Sequence, residues 1–308
     1  MRKDLKTLHI SHTDLDGSGA IIISRAYLEN RVVKRVSYNS VNEVLTELCE
    51  NPRDFKQLLI TDLCLYKQDF EVLKKLSEKL QKIVLLDHHI QEVDIKNYIS
   101  ENTEIIIDYS KSGTKLTYEY FLKKDRKISE FYQLQNYIDI YDLWKEDNPE
   151  FEIAKDYNRL FWELTPLSFE VLFFRDPYIT KPLENKLKDI KSEIKRYFAK
   201  KKKENLIISN DKILLSFLDS YIGEIKEQCP DYKLYINLNN RNISVRLSKD
   251  LENSEEIRDK ILGFFKDQDI ISKGGHKLAF GIRLKDDLNQ DYVLEILKSL
   301  INLINPIL

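Results

Sequence analysis

The sequence predicts an α/β protein: an N-terminal domain with a parallel β-sheet flanked by helices, then a smaller C-terminal α/β domain across a cleft. Three observations carry this prediction. Short apolar runs at 8–10, 58–60, 83–86 and 105–107 have the composition of strands buried on both faces. Stretches with helical spacing separate them, as parallel strands joined by crossovers require. Each run also ends abruptly in acids or histidines, and the carboxyl ends of strands are where open α/β sheets place their chemistry.

The first run enters Ser11-His12-Thr13-Asp14-Leu15-Asp16-Gly17 and is followed by a predicted helix over 18–29. The second enters Thr61-Asp62, with a helix over 67–80. The third, Ile83-Val84-Leu85-Leu86, stops at Asp87-His88-His89, and the fourth stops at Asp108 before a helix over 112–123. From 128 to 174 the pattern is helical throughout, with Tyr, Phe and Trp on the apolar positions. Residues 183–205 are charged, lack Gly and Pro, and contain Lys200-Lys201-Lys202-Lys203, which suits a long connecting helix. The chain therefore divides into a first domain at 1–182, a helical linker at 183–205 and a second domain at 206–308. In the second domain, β-like runs at 206–209, 212–217, 234–238 and 243–247 alternate with helical segments at 221–227 and 254–265. A turn-rich Ser272-Lys273-Gly274-Gly275-His276 leads into a strand at 278–284, and a helix spans 292–304.

At 308 residues, each half is long enough to bury its own core. Forty-nine basic and 51 acidic side chains leave a formal charge of -2, so no global field draws the chain to polyanions or membranes. Three scattered cysteines argue against a disulfide framework. The start lacks a signal-peptide core and no stretch approaches 18 apolar residues, so a cytoplasmic protein with no membrane partner is expected. Four of the five histidines (His9, His12, His88, His89 and His276) and six of the eight glycines fall in or beside the motif segments. A chain sparing with glycine uses it where backbone must approach closely or turn.

His12-x-Asp14-x-Asp16 puts three ligand-type side chains on one side of an extended segment. Carboxylates this close repel unless a cation lies between them. The competing reading makes Asp16 a helix cap and leaves Asp14 solvated. Asp62 alone could equally cap the following helix, whereas Asp87-His88-His89 suits a divalent metal and its supporting contacts. Asp139 and Asp142 are three apart on a predicted helix and can share a face; at most one need be a ligand. Together the donors suffice for two octahedral cations. Mixed imidazole and carboxylate donors favour Mn²⁺ over Mg²⁺, and the lack of cysteine ligands argues against structural zinc. Ser112-Gly113-Thr114 opens a helix whose N–H groups could receive an anion or simply be capped. Tyr141, Trp144, Phe161 and Trp162 could stack bases, with core packing the better reading, and the lysine run is read as a solvated helix face.

These motifs resemble those of the DHH phosphoesterase superfamily: His12-x-Asp14-x-Asp16-Gly17, Asp62, Asp87-His88-His89 and the later Asp142 match its four motifs in order. Gly274-Gly275-His276, preceded by Ile243-Ser244-Val245-Arg246, is similar to the C-terminal DHH-associated domain. Thr13-Asp14-Leu15-Asp16-Gly17 and Tyr141-Asp142-Leu143-Trp144 are most similar to the NrnB-like oligoribonuclease (nanoRNase) branch. The resemblance implies that His12, Asp14 and Asp62 hold one metal, and that Asp16, Asp62, His88 and Asp142 hold the other, with Asp62 bridging. It implies that His89 lies near the scissile phosphate with Asp87 orienting an imidazole. Arg246, Gly274, Gly275 and His276 would bind a substrate phosphate, although only two glycines, preceded by Lys273, stand where many relatives have a longer run.

The expected function is metal-dependent hydrolysis of phosphodiester bonds in short oligonucleotides or related nucleotides by a two-metal mechanism. Weak net charge supports short substrates, since long-polymer binding gains affinity with each neutralised phosphate. The alternatives are a pyrophosphate or polyphosphate hydrolase, a longer-strand exonuclease, or a non-catalytic nucleotide-binding regulator. A homodimer is compatible with this reading.

Overall fold

The computed structural model describes residues 1–38, 40–89, 93–204, 207–209, 212–265, 269–275 and 278–308, with backbone alone described at 207–209 and 272–275. The chain forms two compact units, Met1–Leu187 and Lys188–Leu308. No described helix is long and apolar enough to cross a membrane.

The first unit runs through β1 (Thr7–Ser11), α1 (Leu15–Tyr27), β2 (Arg31–Arg35), α2 (Val41–Glu50), β3 (Gln57–Thr61), α3 (Lys67–Ser77), β4 (Lys82–Asp87), β5 (Thr103–Ile107) and α4 (Gly113–Leu122). It continues through α5 (Tyr132–Asp142), α6 (Phe151–Glu163) and α7 (Pro166–Arg175). Its five strands pair in parallel in the order β2-β1-β3-β4-β5. Every residue of β1 and β3 is buried, which explains their unbroken apolar character. The strand order reverses between β1 and β3, so loops leaving these neighbours diverge and open a crevice at their carboxyl ends.

Strand β2 was not anticipated from the sequence. Its charged residues, Arg31, Lys34 and Arg35, break the apolar signature, and it lies at the sheet edge with its residues partly or fully exposed. Two of the charges are anchored: Arg31 Nη1 donates to Ser24 Oγ at 2.7 Å, and Arg35 pairs with buried Glu170. The helix predicted at 18–29 begins earlier, at Leu15, because Asp14 is its N-cap and accepts from Gly17 N at 3.0 Å. Consequently His12, Asp14 and Asp16 do not share one extended segment. They lie on a strand exit, a cap and a first helical turn.

Helix α8 (Lys181–Lys203) covers most of the expected linker. The second unit contains β6 (Ile207–Ser209), β7 (Ile213–Ser216), α9 (Ile225–Gln228), β8 (Leu234–Asn239), β9 (Asn242–Leu247), α10 (Ser254–Phe264), β10 (Ile270–Gly275), β11 (Ala279–Leu284) and α11 (Gln290–Ile304). Its six-stranded mixed sheet has the order β10-β11-β9-β8-β7-β6. Ile236, Val245, Ile282, Ile257 and Leu297 share its core. The segment expected to be a glycine-rich turn is mostly strand: Gly274 pairs with Gly281 and Gly275 with Phe280 on edge strand β10. On an edge strand only alternate residues direct their N–H groups into the ladder, and the others face away from it.

Helices α1 and α4 approach closely at Gly19, where an added Cβ would fall 2.3 Å from Thr114 Oγ1 and 2.5 Å from Ile138 Cδ1. Gly19→Ala is therefore expected to force the helices apart and cost about 2 kcal/mol, in the range for overpacked cores. Urea unfolding checks this; an unchanged midpoint would show that the contact relaxes freely.

Candidate metal centre

The carboxyl ends of β1, β3 and β4 and the end of α5 bring His12, Asp14, Asp16, Asp62, Asp87, His88, His89 and Asp142 together. Among the described residues three sets of ligand atoms form, each with its members within 4.8 Å of one another: His12, Asp14 and Asp62; Asp16, His88 and Asp142; and Asp62, Asp87, His88 and His89. Asp62 belongs to two of them. It follows β3 directly, and its backbone is left-handed with φ 55°, a conformation that Asp tolerates better than most residues. Its N–H continues the sheet to Leu86 O at 3.0 Å. It does not cap α3, where Asp69 Oδ2 instead accepts from Tyr66 N at 2.7 Å.

The first set is tight. His12 Nδ1 lies 2.8 Å from Asp14 Oδ2 and 4.0 Å from Asp62 Oδ2. In the second, His88 Nε2 faces three carboxylates, at 3.3 Å from Asp62 Oδ1, 3.6 Å from Asp142 Oδ2 and 3.7 Å from Asp16 Oδ2. Ligands about 2.1 Å from one octahedral ion stand about 3 Å apart when adjacent and about 4 Å when opposite, so both sets have the right spacing to enclose a divalent cation. A second observation agrees: Asp62 Oδ2 is sealed from solvent with no hydrogen-bond partner among the described residues. A buried carboxylate oxygen in this state needs a cation or a proton.

Burial pushes the Asp62 carboxyl well above the usual carboxylate range, and the charges of Asp14, Asp16, Asp142 and Asp87 push it further. Burial likewise raises Asp142, with Asp16 and Asp14 adding to the effect. Asp16 is raised by burial against the pull of the His88 charge. Two members move the other way. For Asp14 burial is outweighed by His12 and the Gly17 N–H, and for Asp87 it is outweighed by His89 and His88.

Helix α4 supports the centre from one side. Gly113 N and Thr114 N donate to the two oxygens of Asp16 at 2.6 and 2.9 Å, and Thr114 Oγ1 donates to Asp16 O at 2.6 Å. The N–H groups considered as an anion site thus hold the Asp16 carboxylate. A Cβ on Gly113 would lie 2.6 Å from Asp62 Cβ, so this position must stay bare. Asp139 and Asp142 separate clearly. Asp139 accepts from Ser112 N at 2.9 Å and pairs with Lys115 and Lys145 at 3.2 and 2.6 Å, while Asp142 turns to His88.

Other expectations fare differently. Asp108 stands apart from the three sets: it closes the turn before α4, accepting from Ser110 N and Oγ at 3.0 and 2.6 Å. Trp144 and Phe161 are buried and Trp162 is exposed, which favours packing for the first two. Tyr141 Oη accepts from Asn158 Nδ2 at 2.8 Å. In the second unit, Arg246 lies on β9 opposite Ala279, next to the Val245–Phe280 pair, and Phe280 in turn faces Gly275. His276 lies outside the described residues. Sequence reasoning missed Tyr38, whose ring stacks on His12 with centroids 4.4 Å apart and whose hydroxyl is 3.0 Å from His89 Nε2. Nothing in its Val36-Ser37-Tyr38 context marks it as a site residue.

No family model matches the chain. It is 26% identical over 312 residues to the oligoribonuclease NrnB of Bacillus subtilis (strain 168), covering 92% of this chain and 74% of that protein. The pGpG-specific phosphodiesterase PggH of Vibrio cholerae superposes with TM-score 0.56 at 12% identity, covering 98% of this chain and 99% of that one. RecJ from Thermus thermophilus, in complex with Mn²⁺, superposes with TM-score 0.55 at 13% identity, covering 97% of this chain and 52% of the other. At these identities the two structures show a shared fold.

Because the Asp62 carboxyl is raised in the folded state, its contribution to stability is full below the ordinary carboxyl range and is lost as pH rises through its folded value. In metal-free protein, Asp62→Asn is therefore expected to melt higher than wild type, with a gap that widens from about pH 4 towards neutrality. The same variant should lose Mn²⁺ binding. Thermal melts in chelator and calorimetric titration check both; equal melting temperatures at neutral pH would contradict the electrostatic strain.

Proposed function

We propose that this chain, similar to NrnB along 92% of its length, is a divalent-metal-dependent phosphodiesterase of the DHH phosphoesterase superfamily acting on very short oligonucleotides. The observation that carries this reading is Asp62, which groups with His12 and Asp14 and also lies 3.3 Å from His88 Nε2, itself grouped with Asp16 and Asp142. A protein that only bound nucleotides would not need to bury so many mutually repelling carboxylates. Similarity to an oligoribonuclease along 92% of the chain supports the substrate class, as does a formal charge of only -2.

We assign His12, Asp14 and Asp62 to one cation and Asp16, Asp62, His88 and Asp142 to a second, with Mn²⁺ favoured by the mixed donors. When bound, such ions would supply Lewis-acid activation of water and neutralise the charge of an in-line displacement at phosphorus. The remaining work belongs to the chain. Asp62 joins the two sets through a single rigid backbone position. The amides of α4 hold Asp16 so that it meets His88 without needing to rotate. Asp87 fixes the His89 ring through the 2.8 Å contact between Oδ1 and Nδ1. His89, with its side chain 24% exposed at the rim, is assigned to the scissile phosphate. Arg246 and the Gly274-Gly275-His276 segment are assigned to a second substrate phosphate, through a guanidinium fork, backbone N–H groups and imidazole.

The deciding experiment is a Mn²⁺-supplemented panel of dinucleotides, two- to five-nucleotide RNAs, long single strands, cyclic nucleotides and pyrophosphate. Preferential turnover of the two- to five-nucleotide members, abolished by chelation, is expected. Faster hydrolysis of pyrophosphate than of dinucleotides would favour a base-blind hydrolase. Efficient cleavage of long strands that strengthens as salt falls would favour an exonuclease, and tight binding without turnover a regulator. Arg246→Ala should retain Mn²⁺ binding while kcat/KM falls by about 2–3 kcal/mol of lost charged contact. Loss of metal binding in that variant would remove Arg246 from the substrate site.

A further inference from the structure

Tyr38 lies between the two histidines with the most exposed side chains in the centre, and none of the sequence motifs includes it. Its ring lies nearly parallel to His12, at 21° and 4.4 Å between centroids, and meets His89 edge-on at 72° and 5.4 Å. Its hydroxyl lies 3.0 Å from His89 Nε2, while His89 Nδ1 lies 2.8 Å from Asp87 Oδ1. Asp87 is wholly buried with its Oδ1 against Nδ1, and a carboxylate oxygen accepts, so Nδ1 carries the hydrogen. Tyr38 is half-buried, and His89 Nε2 is an acceptor within hydrogen-bonding reach of its phenol O–H.

We propose that Tyr38 is a positioning residue for the centre: its hydroxyl donates to His89 Nε2 and fixes the Nδ1–H tautomer and ring orientation, while its ring buttresses His12. One side chain therefore ties a metal-set imidazole to the imidazole assigned to the phosphate. Second partners of this kind commonly set tautomer and orientation in metal and acid–base sites, and losing them costs 10–100-fold in metal affinity or activity. The two contacts are chemically separable. Phenylalanine keeps the stacking face and deletes the hydroxyl; leucine deletes both.

The proposal rests on the metal-centre reading above, so its test begins without metal or substrate. Nitrogen-15 NMR of the histidine rings in chelated protein, with His89 assigned from His89→Gln, should show a protonated Nδ1 and an unprotonated Nε2. In Tyr38→Phe the same ring should become a mixture of tautomers, and circular dichroism should show an unchanged fold. Calorimetric Mn²⁺ affinity should stay within about threefold of wild type in Tyr38→Phe and fall about tenfold or more in Tyr38→Leu. If the oligonucleotide reading also holds, kcat of Tyr38→Phe should drop about tenfold with KM unchanged. Identical His89 ring signals in wild type and Tyr38→Phe would overturn the positioning role whether or not any substrate is turned over. Absence of turnover with the NMR change intact would count against the substrate and leave Tyr38 in place.

Discussion

Mutual repulsion among carboxylates is the constraint around which the first unit is organised. Asp14, Asp16, Asp62, Asp87 and Asp142 converge where parallel strands end, and most are shielded from water. Two unit charges about 4–5 Å apart repel by about 3–4 kcal/mol at an effective dielectric of 20, so several such pairs would consume much of a domain's stability. The chain offsets part of this with fixed dipoles and imidazoles. Asp16 receives the first N–H groups of α4, Asp87 receives His89, and Asp14 lies beside His12 and receives Gly17 N. Asp139, close in sequence to this cluster, is neutralised by two lysines instead. What is left over, concentrated on Asp62, is the charge that a divalent ion is suited to take.

The sheet makes that concentration geometrically possible. The reversal of strand order between β1 and β3 sends their loops apart, and a crevice with donors on both walls remains. Beneath it, a buried chain of hydrogen bonds joins Ser24, His9, Thr61 and Ser11, ending on Gly17 O. Burial keeps the His9 ring neutral, so it can accept and donate at once. These groups hold the backbone leading to His12 and Asp62 in place without offering any atom to the centre.

Much of the arrangement was legible in the sequence because unbroken apolar runs and their polar ends are local signals. Ile83 to Leu86 followed by Asp87-His88-His89 needs no tertiary knowledge to be read as a strand emerging at a sheet rim. Where two residues shared the same local signal, sequence could not choose. Asp139 and Asp142 are one helical turn apart, and only the positions of Lys115 and Lys145 separate them. Asp108 ends a strand just as Asp62 does, yet its strand lies at the sheet edge, remote from the β1–β3 reversal. Strand β2 and Tyr38 were missed for a related reason. The first hides its apolar residues among charges, and the second gains its meaning from a histidine 51 positions away.

Exposure is uneven across the centre. The side chains of His12 and Asp14 are 16% and 35% exposed, whereas those of Asp16 and His88 are each 1% exposed, with Asp16 held by the backbone of α4. Ions held by two such different surroundings would not trade with bulk water at the same pace. The His12–Asp14 position would equilibrate readily with the metals of its medium. The position lined by Asp16 and His88 would meet water only along Asp142, whose side chain is 20% exposed. Two ions so held would fill and empty at different rates when metal is scarce, and the two places would then hold different metals.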